Sequence, residues 1–309
     1  MIQRPSFTRF AWLVVATNLV VILWGAVVRA TGSGAGCGSH WPLCDGEVLP
    51  PDPKTATLIE LTHRATSGIA LLLVVVLTIW ALRAFARPHR VRRAAVASLV
   101  LIIIEALIGA GLVIFGLVED NDSMARAVYM SAHLVNTLFL VAALTLTAAW
   151  SGERERRRWR RSGRSGVMVG SLVGLLASGI SGAISALGDT LFPGGDLATA
   201  LQQDFSAGSH ILLRLRVFHP LIAVAAGLTL FVLARRELES PSRSPHTTRL
   251  AQGLMLAVLV QMAGGVLNIA LLAPVWMQIV HLALANLVWI LFVLLADALL
   301  SRGAPALET

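Results

Sequence analysis

Charge is scarce in this sequence. Only 14% of its 309 residues are Asp, Glu, Lys or Arg, and 56% are hydrophobic. That composition excludes an ordinary soluble domain. Cysteine is nearly absent as well. Cys37 and Cys44 are the only two, so one intramolecular disulfide is the most the chain can form. Acidic residues are fewer than basic ones, 17 against 25, which gives a net charge of +8. Such an excess invites a nucleic-acid partner, but its distribution argues against one.

What the sequence has in abundance is apolar runs. A bilayer span needs roughly 20 apolar residues. Candidate runs cover residues 10–28, 65–82, 94–118, 127–150, 167–187, 217–234, 250–273 and 275–295. The expected fold is an all-α integral membrane protein of about eight transmembrane helices, arranged as two tandem four-helix bundles. The first run is long and lacks a clear small-residue cleavage site, so it is read as a span and not a removable signal.

Most basic residues fall in the N-terminus, the C-terminus and the loops near 83–93, 151–165 and 235–249. By the positive-inside rule these alternate loops are cytoplasmic, and so are both termini. The expectation is a multi-pass plasma-membrane protein, with the arginine-rich run 154–164 facing lipid headgroups. The other basic residues are Arg29, Lys54, Arg64, Arg126, Arg214 and Arg216.

The basic linker 151–165 divides the chain into halves, 1–150 and 166–309, that resemble each other weakly. Gly25-Ala-Val-Val-Arg-Ala-Thr-Gly32 closes the first span, and Gly182-Ala-Ile-Ser-Ala-Leu-Gly188 closes the fifth. Ala132-His133-Leu134 opens the fourth, and Val280-His281-Leu282 the eighth. Glu105 precedes Ile108-Gly109-Ala110-Gly111, as Gln261 precedes Ala263-Gly264-Gly265. Both halves cross in the same direction, so this is a parallel repeat. The glycines are assigned to close helix packing.

His63, His133, His219 and His281 each lie near the start of an even-numbered span, in its outer half. Intramembrane ionisable groups are costly and usually functional. His63 can face His133, and His219 can face His281. Each pair can hold a metal centre, and haem suits them better than bare zinc because cysteine ligands are missing. His40, His89, His210 and His246 are taken as surface residues. Glu60 shares a helix face with His63 at i, i+3. It is either a proton acceptor or a helix-start carboxylate favoured by the dipole. Arg29, Arg64, Arg214 and Arg216 can pair with haem propionates or snorkel to headgroups. Glu105, deep in its span, is either packed and protonated or part of a proton path. Cys37 and Cys44 lie in the longer, more acidic outer loop 30–57. A disulfide is expected there, as a staple or as a redox-active pair.

The stretch from Gly25 through Cys37 to Trp41-Pro42-Leu43-Cys44-Asp45-Gly46 resembles the first outer loop of haem A synthases, the CtaA/COX15 family. Ile59-Glu60-Leu61-Thr62-His63-Arg64 resembles that family's second-helix motif. The resemblance spans nearly the whole chain, with one departure: His63 is followed by Arg64, but His219 by Pro220. It implies oxidation of a ring methyl of haem O to a formyl group, through a hydroxylated intermediate, to give haem A for terminal oxidases. It further implies haem O held by His63 and His133 with Glu60 in the first half. The second half would hold a haem b between His219 and His281, with Arg214 and Arg216 nearby. Haem O synthase and cytochrome oxidase assembly factors are the implied partners. A di-haem cytochrome b-like quinone oxidoreductase is the rival reading, and a repeat-built transporter a more distant one.

Overall fold

The computed structural model describes residues 4–152, 165–206 and 208–301. Most of the basic linker, and with it the run 154–164, lies outside the described residues.

Eight helices are long and apolar enough to cross a membrane. They are α1 (Arg4–Ala30), α2 (Thr55–Ala84), α3 (Arg90–Ile114), α4 (Met124–Gly152) and α5 (Ser165–Leu191), then the pair α7 (Ile211–Arg216) and α8 (Phe218–Leu238), then α9 (Pro245–Ala270) and α10 (Val275–Leu300). A short helix, α6 (Leu197–Phe205), lies between α5 and α7. At about 1.5 Å per residue, a 25-residue helix is roughly 37 Å long, enough for the hydrocarbon core. The chain is an all-α, multi-pass integral membrane protein.

The helices are apolar all round. Leu13, Val20, Leu72, Leu107, Leu228 and Leu256 stay exposed, as lipid-facing side chains do. Buried polar residues turn inward and bond their own helix. Thr78 Oγ1 donates to the Val74 carbonyl at 2.8 Å, Ser98 Oγ to Ala94 at 2.9 Å, and Asn18 Nδ2 to Val14 at 2.8 Å. No lipid could offer those bonds.

Pro220 explains why the sixth span is two helices. Its ring nitrogen cannot donate to the Arg216 carbonyl, and the helix breaks at Val217. α3 ends in a Schellman turn: Leu117 N donates to Leu112 O at 2.8 Å and Gly116 N to Val113 O at 3.1 Å. Gly116 takes the left-handed φ of 62° that this turn needs. The matching end of α9 makes the same two bonds, from Ala273 N to Asn268 O at 2.7 Å and from Leu272 N to Ile269 O at 3.0 Å. There the left-handed residues are Leu272 (φ 59°) and Ala273 (φ 51°).

α1 to α4 pack as a closed four-helix ring. In the second half α5 packs on α8, α8 on α9 and α9 on α10, with a lighter contact from α10 back to α5. The halves meet through α1 and α4 against α5 and α10. Their tight cores lie toward the linker side. Phe7, Val14, Leu77, Phe85 and Leu144 fill one. Leu230, Leu233, Leu254, Trp289 and Leu295 fill the other, together with Val141 of α4. Polar contacts also cross between halves near these cores: Trp289 Nε1 donates to Leu138 O at 2.7 Å, and Arg90 pairs with Asp297 at 2.9 Å. Toward the cysteine-loop side the packing opens into a cavity.

The two Schellman turns give a paired test. A left-handed non-glycine residue costs about 1–2 kcal/mol, partly offset by the greater unfolded-state freedom of glycine. Leu272→Gly is expected to raise, and Gly116→Ala to lower, the thermal unfolding midpoint in detergent, each by about 1 kcal/mol. Unchanged midpoints in both variants would show that the turns carry no strain.

Candidate functional site

One cavity of about 1200 Å³ runs through both halves. All four intramembrane histidines line it: His63 on α2, His133 on α4, His219 on α8 and His281 on α10. Each half contributes two of the four.

Each imidazole lies against a glycine of a neighbouring helix. A Cβ on Gly25 would sit 3.0 Å from His63 Cε1 and 3.3 Å from its Nε2. A Cβ on Gly182 would sit 3.0 Å from His219 Cε1, and one on Gly265 3.2 Å from His281 Cε1. Gly109 is looser, 3.8 Å from His133 Cε1. The repeated glycines, assigned from sequence to helix packing, therefore make room for the rings. The repeat in the sequence contained this signal: each half carries the same glycine and histidine pair on adjacent helices.

The rings of His219 and His281 are 6.5 Å apart between centroids and nearly perpendicular, at 89°. A metal between two imidazoles needs about 2 Å per metal–nitrogen bond plus about 1 Å from each nitrogen to its ring centre, about 6 Å in all. The spacing fits a bis-histidine iron. Among the described residues His63 Nδ1 and His281 Nδ1 are buried with no hydrogen-bond partner, and His133 Nδ1 has only the Glu105 carboxylate beside it, outside hydrogen-bond geometry. Orphaned ring nitrogens on a cavity are what ligands awaiting a metal centre present. Among the described residues no group of three His, Cys, Asp or Glu side chains could cage a bare ion.

The groups behind the rings differ between halves. Glu105, left unexplained by sequence, lies on α3 with one oxygen 3.2 Å from His133 Nδ1. Asn136 and Thr137, one turn beyond His133, donate to its two oxygens. Gln261, at the matching place on α9, meets His281 Nε2 at 3.2 Å. Ser181 Oγ meets His219 Nδ1 at 3.1 Å. So a carboxylate network backs His133, while neutral groups serve the second pair.

Glu60 is 3% exposed and faces the cavity, but it is not isolated. Its Oε2 accepts from the Cys37 backbone N–H at 2.8 Å, and its Oε1 pairs with Arg64 Nη2 at 2.5 Å. Arg64 Nη1 donates to the carbonyls of His40 and Leu43, each at 2.7 Å. The pair thus fastens the cysteine loop over the first half. This replaces the expectation that Arg64 serves a propionate, since its donors are committed to the loop. The Cys37 and Cys44 sulfurs are 1.95 Å apart, and both residues are fully buried.

Arg216 lines the cavity, whereas Arg214 is exposed and lies off it. Arg216 is neutralised by Asp204 and by Asp189, the latter at 3.0 Å. Asp204 belongs to α6, so this pairing holds the short helix over the second half. Arg29 reaches from α1 into the second half. It donates to Ala186 O at 2.6 Å, Thr190 Oγ1 at 2.7 Å and Gln278 Oε1 at 2.6 Å. Sequence reasoning did not single out Arg126, which also lines the cavity and is 3% exposed.

Comparison with known proteins bears on this arrangement. The chain is 51% identical to a Thermus thermophilus protein named protoheme IX farnesyltransferase. That match covers 99% of this chain and 51% of the relative, so the chain spans about half the length of that relative. It is 38% identical over 129 residues to a heme A synthase of Alkalihalophilus pseudofirmus, covering 42% of this chain and 41% of that one. It is 43% identical over 114 residues to a heme A synthase of Geobacillus kaustophilus, covering 37% and 36%. The model of the COX15-CtaA family, described as cytochrome oxidase assembly protein, matches residues 8–293. With eight spans and a histidine-lined cavity shared between two similar halves, the chain belongs to the COX15-CtaA family.

Proposed function

We propose that this chain oxidises the ring methyl of haem O to a formyl group, giving haem A. The observation that carries the reading is the set of four imidazoles, one from each even-numbered span, on a single cavity. In this reading His63 and His133 hold the substrate haem O, and His219 and His281 hold a haem b. Methyl to alcohol and alcohol to aldehyde are each two-electron oxidations, so the chemistry needs an electron outlet. The second-half haem would supply that outlet as a one-electron carrier.

The protein's own groups divide the remaining tasks. Glu105 stands 3.2 Å from His133 Nδ1, where it would orient the ring and leave Nε2 for the cavity. Glu60, one turn from His63, presents an ion-paired carboxylate to the first half. There it can accept a proton or stabilise positive charge developing at the oxidised carbon. The cysteine pair forms a disulfide that closes the loop held by Glu60 and Arg64. The cysteine-loop side faces outward across the plasma membrane and both termini face the cytoplasm, a reading supported by the basic loops at the opposite helix ends. The name of the long Thermus relative describes farnesyl addition to protohaem. That is the chemistry that makes the proposed substrate, and it supports a haem O synthase as partner.

The deciding experiment is haem extraction and chromatography from cells that make haem O and express the chain. Haem A is the expected product. Two haems without conversion would instead favour a di-haem electron-transfer protein.

Three further outcomes are expected. His219→Ala and His281→Ala each remove the low-spin bis-histidine spectrum, and Gly182→Leu does the same by filling the space of the His219 ring. A normal spectrum in all three would remove haem b from the second half. Glu60→Gln keeps that spectrum but stops haem A formation, with haem O accumulating. Haem A made at the normal rate would reduce Glu60 to a loop anchor. Finally, mass spectrometry of unreduced, alkylated protein shows Cys37 linked to Cys44; two alkylated cysteines would contradict the disulfide.

A further inference from the structure

The cavity carries one charge that the proposed chemistry leaves unused. Arg126 sits in the first turn of α4, which contains no acidic residue. Its Nη1 donates to two neutral loop carbonyls, those of Glu119 and Asn121, the latter at 2.8 Å. Its Nε is buried with no hydrogen-bond partner. Among the described residues no carboxylate lies within ion-pair distance of it, and Asp120 attracts it only from farther off. A guanidinium 3% exposed and without a counter-ion is costly to bury. The loop carbonyls do not account for it, because a neutral donor would serve them as well.

Three features make this end of the cavity attractive to an anion. The positive end of the α4 dipole lies at its first turn and adds to the charge of Arg126, whose backbone N–H is capped by Ser123 Oγ at 3.3 Å. Arg29, also on the cavity, faces Asp189 and, more weakly, the like charge of Arg126, so two guanidinium groups share this end. And α4 carries His133 seven residues further on, on the same helix face and roughly 10 Å along the axis, within the span of a porphyrin and its propionates. The second half has no equivalent. The residue seven before His281 is Pro274, where the residue seven before His133 is Arg126.

We infer that the first turn of α4 is a carboxylate-binding site in which Arg126 receives the propionates of an iron porphyrin held by His63 and His133. The inference rests on the proposed porphyrin site in the first half. A guanidinium suits it because its planar fork matches a carboxylate with two parallel hydrogen bonds.

The test uses the full-length chain, with ferric protoporphyrin IX and its dimethyl ester as probes. The ester keeps the iron and the ring but loses both negative charges. First-half binding is read as the difference between the chain and its His63→Ala variant. The free acid is expected to bind the first half about 30-fold more tightly than the ester, as for a buried charge pair. Arg126→Gln should bind both probes alike, at the affinity of the ester. Arg126→Lys, which keeps the charge, should retain part of the preference. Equal binding of acid and ester to the unmodified chain would overturn the proposal without any variant. So would an Arg126→Gln chain that keeps the full preference. If His63→Ala changes the binding of neither probe, the first-half porphyrin site itself falls, and the carboxylate site with it.

Discussion

A polar group inside a bilayer must find its partner within the protein, and this fold is organised around the places where that rule is kept and where it is broken. Along the helices it is kept locally: hydroxyls and amides such as Thr78, Ser98 and Asn18 bond the carbonyl four residues back. Among the described residues, His63, Arg126, Gln261, Asn268, His281 and Asn286 line the cavity and each has a buried polar atom without a hydrogen-bond partner, while Thr145, Ser171, Gln203 and Ser301 have one away from it. Open polar groups concentrated on one cavity are what the proposed haem sites would use.

The two halves share a scaffold but not a chemistry. Each sets a histidine ring against a glycine on two helix pairs. Around that frame the polar residues diverge. Three residues before the first histidine of each half stand Glu60 and Arg216. Behind the second stand Glu105 with Asn136 and Thr137 in one half, and Gln261 with Leu284 and Ala285 in the other. The arginine of the second half is neutralised by two aspartates, whereas the arginine of the first turn of α4 is not. A symmetric scaffold with charge concentrated on one side suits a division between a reacting site and a carrier site. The first half has the carboxyl groups of Glu60 and Glu105 within reach of its histidines, and the second has the amide of Gln261 and the hydroxyl of Ser181.

The helices were legible in the sequence because a span is a composition signal that needs no knowledge of neighbours. Pro220 likewise marked a difference between halves, and the structure gives it a form in the break at Val217. The glycines were visible, and their packing role holds at Gly111 against Tyr129 and Gly264 against Leu284; at Gly25, Gly182 and Gly265 an imidazole fills the space, which a small residue in a sequence does not reveal. Arg214 and Arg216 could not be told apart, being two residues, or about 200° of rotation, apart on a helix. Only the fold turns one to the cavity and the other away. Arg126 looked like any boundary arginine free to snorkel, since burial of a guanidinium is a property of packing and not of position. Glu60 was found by its spacing from His63. Its tie to the Cys37 backbone required the loop to fold back over α2.

The placement of the core decides how such variants can be interpreted. Phe7, Leu77, Leu144, Leu230, Leu254 and Leu295 close the bundle toward the linker side and are almost wholly buried. The histidines, Glu60, Glu105 and Arg126 lie toward the other side, where packing gives way to open volume. Truncating a side chain on an existing cavity removes few packing contacts, so its energetic cost falls mainly on polar partners. The loop anchored by Glu60 and Arg64 is the exception, because there one carboxylate serves both the cavity and the chain that covers it. In the proposed function, chemistry and local stability are coupled at that ion pair, and Arg216 couples cavity and cover in the second half through Asp204 of α6.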